Sequence, residues 1–321
     1  MRVLVTGGAG FIGSNYVRQI VDGKLTEISE VTVVDKLTYA GSKHRFSDST
    51  LNSINFVEGD IRDQDKMEKL ILNCDAVVNF AAETHVDRSI TDPQIFAQTN
   101  ILGTSTLLEV LRKQGNKRFI QISTDEVYGT VKEGSWTEDS PLLPNSPYSA
   151  SKASADLICR AYSNTFDLDL CITRCSNNYG PFQFPEKIIP LFITNIIEGR
   201  KVPVYGSGSN VRDWLHVDDH CRAIHLVLLK GFKGEVYNVG GGRELTNLEL
   251  TRNILSSLGK DDSWIEFVED RPGHDFRYSV DFQKISGQVG YTPQKSFEVG
   301  ILETIEWYLE NSNWWRSLKK N

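Results

Sequence analysis

Short, nearly continuous apolar runs recur along the chain at residues 2–6, 31–34, 54–58, 76–80, 118–122 and 170–173. Each is rich in valine, isoleucine and leucine and is bounded by turn or polar residues, the pattern of strands buried on both faces of a parallel sheet. Between them lie stretches of helical periodicity, including residues 94–113, with apolar positions on more than one side, and 148–165. Strands alternating with helices at these lengths predict an α/β fold built on a doubly wound parallel Rossmann sheet. After Arg174 the pattern loosens at Cys175-Ser176-Asn177-Asn178-Tyr179-Gly180-Pro181, so the chain is expected to cross near Asn177 into a second, smaller α/β substrate domain. A helix over 188–198, a strand over 202–205, the Arg212-Asp213-Trp214 segment and a helix over 218–229 follow. A strand over 235–239 is expected to return to the sheet, and Asn247 to cap a helix running to Leu258. The expected division is 1–176 plus 213–240 for the dinucleotide domain and 177–212 plus 241–321 for the substrate domain.

Chemistry enters where strands end. The first is followed by Gly7-Gly8-Ala9-Gly10-Phe11-Ile12-Gly13 and then a helical pattern, the strand–glycine–helix order of a dinucleotide site. Glycines there permit a tight turn and let a pyrophosphate reach the free N–H groups of the helix N-terminus. Asp35 ends the second strand about 20 residues later, where a carboxylate bonds a ribose diol and repels a 2′-phosphate, which favours NAD over NADP. Lys36, directly beside it, weakens that repulsion. Asp60 and Ile61 follow the third strand within reach of adenine, and Phe80, Ala81 and Ala82 leave the fourth with small residues that let backbone approach a cofactor.

The stretch from Ser123 to Lys152 carries the reactive groups. Thr124, Asp125 and Glu126 put a hydroxyl and two carboxyl groups at the tip of the fifth strand. Tyr148 and Lys152 stand four apart on one helical face, where the ammonium, together with a positive nicotinamide, is expected to favour phenolate and make Tyr148 a base. Eleven tyrosines make this spacing weak evidence alone, and Tyr39-x-x-x-Lys43 repeats it in a loop. Two adjacent carboxyls can serve as separate acid and base if their surroundings drive their pKa values apart.

Composition narrows the partners. Lysine plus arginine at 35 against aspartate plus glutamate at 42 gives a net charge of -7, which argues against nucleic acid. No apolar run approaches the roughly 20 residues of a membrane span, and the glycines after Val5 preclude the 7–15-residue apolar core (about that length) of a secretory signal. Five cysteines without a Cys-x-x-Cys spacing are expected to be reduced core residues of a cytoplasmic protein. His85, His216, His220 and His274 form no metal-ligand spacing, and no metal is expected.

Taken in order, Thr6-Gly7-Gly8-Ala9-Gly10-Phe11-Ile12-Gly13, Thr124-Asp125-Glu126, Tyr148-x-x-x-Lys152, Cys175 to Pro181, Phe184-Pro185-Glu186-Lys187 and Arg271-Pro272-Gly273-His274-Asp275 resemble the extended short-chain dehydrogenase/reductase family that acts on nucleotide sugars, within it the dTDP-glucose 4,6-dehydratases. The resemblance implies NAD as cofactor and dTDP-glucose as substrate, oxidised at C4, dehydrated across C5 and C6, and reduced at C6. It implies Tyr148 as base at the 4-hydroxyl, Thr124 holding that hydroxyl, Lys152 on the nicotinamide ribose, Glu126 as base at C5 and Asp125 as acid at the C6 hydroxyl. Gly7, Gly10, Phe11, Ile12, Gly13, Asp35, Lys36, Leu37, Thr38, Asp60, Ile61, Phe80, Ala81, Ala82, Thr99 and Asn178 match cofactor positions. Thr84, Asn177, Lys187, Ile188, Pro203, Tyr205, Arg212, Asn247, Arg271, His274 and Asp275 match substrate positions. Phe276 stands where the family often has a polar residue. A homodimer pairing the helices over 94–113 and 148–165 is also implied. Two other readings remain open at this point, a nucleotide-sugar 4-epimerase or decarboxylase, which has no need of the Asp125–Glu126 pair, and a non-enzymatic NAD sensor, which would tolerate loss of Tyr148.

Overall fold

In a computed structural model describing residues 1–115 and 117–319, the continuous apolar runs all become strands of one sheet. β1 (Arg2–Thr6), β2 (Glu30–Asp35), β3 (Asn55–Glu58), β4 (Ala76–Asn79), β5 (Arg118–Thr124) and β6 (Leu170–Cys175) precede β7 (Asn177–Tyr179), β8 (Val202–Tyr205) and β9 (Val211–His216). β10 (Val236–Val239), β11 (Glu244–Thr246) and β12 (Ile265–Val268) complete the set. The main sheet has seven strands, all parallel, in the order β10-β6-β5-β4-β1-β2-β3. The order reverses between β1 and β4, so the carboxyl ends of these two strands open a crevice where ligands collect in such folds.

Apolar clusters cover both faces of this sheet. One gathers Val3, Val5, Val33 and Val78 with Tyr16, Ile224 and Tyr237, and the other gathers Leu4, Val34 and Val77 with Leu107, Leu111 and Cys159. Successive residues of one strand point to opposite clusters, which is why the runs read as uniformly apolar. A third cluster of Phe192, Val204, Leu250, Ile301, Tyr308 and Trp315 forms a separate core around two small sheets, β11-β9-β7 and β12-β8. β9 lies between the cores, with Trp214 in this third cluster and Leu215 in the first. All five cysteines are buried and unbonded, and no helix among the described residues is long and apolar enough to cross a membrane.

Three local expectations change. Residues 94–113 are helical but not uniformly so: the segment starts at Pro93–Phe96, widens into a π-type turn over Ala97–Gly103 and resumes as Thr104–Gln114. Such a widening inserts a residue into the helical repeat, which blurs a single amphipathic stripe. The fifth strand runs on to Thr124, so the threonine hydroxyl is held in extended backbone. Asn247 is not the cap of its helix. Thr246 is, because its hydroxyl accepts from Glu249 N–H (3.0 Å) while the Glu249 carboxylate accepts from Thr246 N–H (2.8 Å), a reciprocal capping box.

Candidate active site

The glycine loop leaves no room for side chains. A Cβ on Gly7, whose φ is +64°, would lie 2.5 Å from Ala81 N, and one on Gly13 would lie 2.5 Å from Gly7 O. The loop therefore packs backbone on backbone, and the helix Phe11–Val21 begins at Gly10 without a side-chain cap, its first N–H groups turned to the crevice. Asp35 sits at the end of β2 with each carboxylate oxygen already oriented, Oδ2 by Ala9 N–H (2.9 Å) and Oδ1 by Leu37 N–H (2.8 Å). One acceptor lobe remains on each oxygen, the requirement for gripping a diol. Leu37 takes a left-handed φ of +54° to make this turn, and Gly41 is required because its Cβ would meet Asp35 Oδ1 at 2.6 Å. Lys36, whose charge threatened the preference for a free 2′-hydroxyl, is bonded instead to Asp60 (3.0 Å), which Arg62 also holds (2.7 Å). These two cations keep the Asp60 carboxyl well below its usual range. The cradle fits a dinucleotide with an unphosphorylated adenosine ribose.

The crevice is one continuous cleft, lined by this cradle, by Thr38, Ile61, Phe80, Ala81, Ala82, Thr84 and Thr99, and by Thr124, Asp125, Glu126, Tyr148, Lys152, Asn177, Asn178 and Lys187. The reactive groups reach it from two elements. β5 delivers Thr124 and then turns through a 3₁₀ helix, Asp125–Tyr128, in which Thr124 Oγ1 accepts from Glu126 N–H (3.3 Å). The helix Pro147–Phe166 delivers Tyr148 and Lys152; Ser146 and Ser149 cap it reciprocally, and Pro147 opens its first turn. Asn100, from the widened turn, donates to Ser151 Oγ (2.8 Å) and to Glu83 O (3.0 Å), fixing the tyrosine helix against the cleft wall.

Among this chain's own groups, the balance at Tyr148 favours the neutral phenol. Burial, then Glu126, push the phenol well above its ordinary pKa, and Asp125 adds to this while a bond with Thr124 partly offsets it. Lys152 does not counter the rise: its ammonium is buried and donates to Ile122 O (2.5 Å), the backbone of β5. Helical spacing put the two on one face, but the strand carbonyl captured the ammonium.

The two carboxyls occupy contrasting surroundings one residue apart. Asp125 is almost fully buried, faces the negative charge of Glu126 and Asp213, and has an Oδ2 without a hydrogen-bond partner; its pKa stands well above the usual value. Asp213 is held in place by Gly241 N–H (2.8 Å) and Arg243 N–H (2.7 Å). Glu126 is also raised by burial, but Lys187, Arg271 and Arg212 all pull it back. Burial raises both carboxyls, and the three cations leave Glu126 the more readily ionised of the two. A test follows from the sign of one of these effects. Lys187→Met removes the largest downward pull on Glu126, so Glu126 ionises at higher pH and the acidic limb of the kcat profile is expected to move upward. A limb that stays put or moves down would show that another group governs it.

The remaining expected substrate residues lie toward the second core. Arg212, buried and stacked 4.3 Å from the Tyr278 ring, donates to Val211 O (2.7 Å) and Asp275 O (2.8 Å). Asp275 accepts from Thr130 (2.7 Å) and Asn145 (2.6 Å) at Oδ1 and from Tyr278 (2.6 Å) at Oδ2, so its carboxylate fixes the loop and its carbonyl aims Arg212. Arg271 pairs with Asp87 (3.2 Å) and keeps a buried, unpartnered Nε; His274 bonds Asp270 (2.6 Å) and meets the Tyr205 ring edge-on. Pro203 is half-buried on the same strand as the exposed Tyr205, Ile188 opens the helix Ile188–Ile197, and Asn247 is buried in the first turn of its own helix. Asn177 offers a buried Oδ1 without a partner, whereas the Asn178 side chain is tied to Ser176 O (2.9 Å) and His220 (2.8 Å). Phe276 is exposed, and its backbone carbonyl accepts from Arg212. Glu83, which follows the fourth strand, and Glu186, from the Phe184–Lys187 motif, also line the cleft, as do Arg45 and Gln183, which no local spacing distinguishes.

The GDP-mannose 4,6 dehydratase family model matches residues 4–304. A dTDP-glucose 4,6-dehydratase of Streptomyces niveus is 54% identical over 322 residues, spanning 99% of this chain and 96% of that protein. Among solved structures, the dTDP-glucose 4,6-dehydratase of Streptomyces venezuelae, determined with NAD bound, superposes with a TM-score of 0.97 at 54% identity over 99% of this chain and 100% of that one. The UDP-glucose 4-epimerase of Thermotoga maritima superposes at 0.90 with 32% identity, over 97% and 100% of the two chains.

Proposed function

This chain belongs to the GDP-mannose 4,6 dehydratase family, within the extended short-chain dehydrogenases/reductases, and from that premise we propose that its cleft converts dTDP-glucose to dTDP-4-keto-6-deoxyglucose and water. Bound NAD supplies the hydride acceptor at C4 and the hydride donor at C6, so no outside reductant is consumed. Tyr148 takes the proton of the 4-hydroxyl while Thr124 holds that oxygen; the positive nicotinamide ring of bound NAD would supply the charge that favours the tyrosine phenolate against the burial and carboxylates that oppose it. Lys152, anchored on β5, holds the cofactor ribose. Glu126 takes the C5 proton, made acidic by the new C4 ketone, and Asp125 gives its proton to the C6 hydroxyl, which leaves as water; as hydride adds to C6, Glu126 returns its proton to C5. Lys187, Arg212 and Arg271 receive the diphosphate, for which guanidinium forks are well shaped. Residues 1–176 plus 213–240 hold the dinucleotide, and residues 177–212 plus 241–321 hold the sugar nucleotide.

The observation that carries this reading is that two carboxyls, Asp125 and Glu126, line the same cleft as Tyr148 and the dinucleotide cradle. An epimerase needs one base; elimination of water needs a second base and a separate acid. dTDP-glucose deuterated at C4 is expected to yield a 4-keto-6-deoxy sugar with the label in its methyl group. Label kept at C4, or the absence of a keto product, would exclude dehydration.

The active form is a homodimer in the cytoplasm. Leu102 and Leu157, 57% and 55% exposed on the two helices expected at the two-fold, support the pairing, and the unbonded cysteines support a reducing compartment.

A further inference from the structure

Three segments that line the cleft on different sides are joined at its mouth by side chains without an assigned role. Tyr39 lies in the loop after β2, whose Thr38, Ala40 and Gly41 line the cofactor side. Glu186 lies opposite, beside Lys187, and Arg88 lies on the short helix Val86–Thr91 that follows the Ala81–Thr84 wall. The Tyr39 hydroxyl donates to Glu186 Oε1 (3.1 Å), Arg88 reaches Glu186 Oε2 (3.2 Å), and the Arg88 guanidinium stacks 3.6 Å from the Tyr39 ring centre. Phe184 adds an edge-on contact to the same ring, 5.4 Å between centres. Both oxygens of Glu186 are thus engaged, one by each partner.

The loop is anchored beneath as well. Arg45 donates to Ala9 O (3.0 Å) and Ala40 O (2.7 Å), so the glycine loop and the Tyr39 loop move together, and its Nε reaches Phe182 O (3.3 Å) in the chain leading to Glu186. Thr38 and Ala40, which flank Tyr39, and Phe184, Glu186 and Lys187 line the same cleft as Gly10, Asp35 and Lys152, so the Tyr39–Glu186 bond joins two walls of the space a dinucleotide would fill. The helix carrying Arg88 also carries Asp87, the partner of Arg271, so the same helix ties the cofactor side to the diphosphate side.

We propose that Tyr39, Arg88 and Glu186 form a clasp over the cleft that retains the dinucleotide between its two uses in one turnover, making them positioning residues. The proposal rests on the functional reading above, in which loss of the cofactor after C4 oxidation would strand a ketohexose. A clasp made of a charge-assisted hydrogen bond and a stacked cation opens without covalent change, and it slows release without touching the reacting atoms.

Retention is measured directly by loading the full-length protein with radiolabelled NAD, removing free label and following its loss into excess unlabelled NAD. Tyr39→Phe, which deletes one hydroxyl, is expected to release label about tenfold faster, the effect of losing a hydrogen bond to a charged group. Glu186→Gln, which keeps the shape and removes the charge, should do the same. Arg88→Lys, which keeps the charge but not the planar stack, should fall between. With saturating NAD in the assay, kcat of Tyr39→Phe should stay within about twofold of wild type, since nothing in the reacting group changes. Equal release from wild type, Tyr39→Phe and Glu186→Gln overturns the clasp alone. Failure of wild type, first stripped of any NAD it carries, to take up label overturns the cofactor reading and the clasp with it.

Discussion

Glu126→Gln is expected to lower kcat by about 10²- to 10⁴-fold, the contribution of a general base, while C4 oxidation continues. In a single turnover the sugar should stall as a 4-ketohexose that still carries its 6-hydroxyl, detectable by mass after quenching. Glutamine preserves the volume at the strand tip and cannot accept the C5 proton. Its neutrality also removes the carboxylate that raises Tyr148, so the first proton transfer is eased rather than hindered. Asp125 loses one of the charges that keep it protonated, but burial, the dominant cause of its raised pKa, remains. Wild-type rates of product formation without the ketohexose would remove Glu126 from the mechanism.

Tyr148→Phe should cost a similar factor of about 10² to 10⁴, with the opposite signature. No ketohexose should form, because the failure comes before C4 is oxidised. The phenylalanine ring can keep the edge-on contact with Phe96, 6.2 Å between centres, so binding of the sugar nucleotide, followed by tryptophan fluorescence, should change little. Full turnover by this variant would point to a different base or to a protein that only senses NAD. Together the two variants separate the oxidation from the elimination.

Much of this site could be read before any coordinates, and the reasons differ by element. The sheet was legible because its central strands, covered on both faces, are apolar at most positions, a signal that needs no periodicity. The glycine loop, Asp35 and the Asp125–Glu126 pair were legible because each lies at a strand end within a few residues of a recognisable pattern. What escaped were choices between competing partners. Lys152 was placed on the correct helical face, yet nothing local reveals that Ile122 O takes its ammonium. Lys36 looked like a threat to cofactor selectivity until Asp60, 24 positions on, was seen to hold it. Tyr39, set aside because its lysine spacing falls in a loop, binds a carboxylate 147 residues away. The widened turn at Ala97–Gly103 carries Asn100 to the tyrosine helix, and a regular 3.6-residue repeat has no way to announce it.

The seventh place in the main sheet bears on how the chain matures. β6 ends at Cys175, but its outer neighbour, β10, begins only at Val236, after the chain has built β7, β8 and β9 elsewhere. Until that later segment emerges from the ribosome, the backbone of Leu170–Cys175 has one unsatisfied side, and Leu170 and Ile172 lack part of their cover. Exposed edges of this kind invite pairing with foreign strands. A nascent chain halted between residues 175 and 236 therefore presents an adhesive border, and the main sheet cannot be finished before the whole of residues 177–212, with β7, β8 and the start of β9, has been translated.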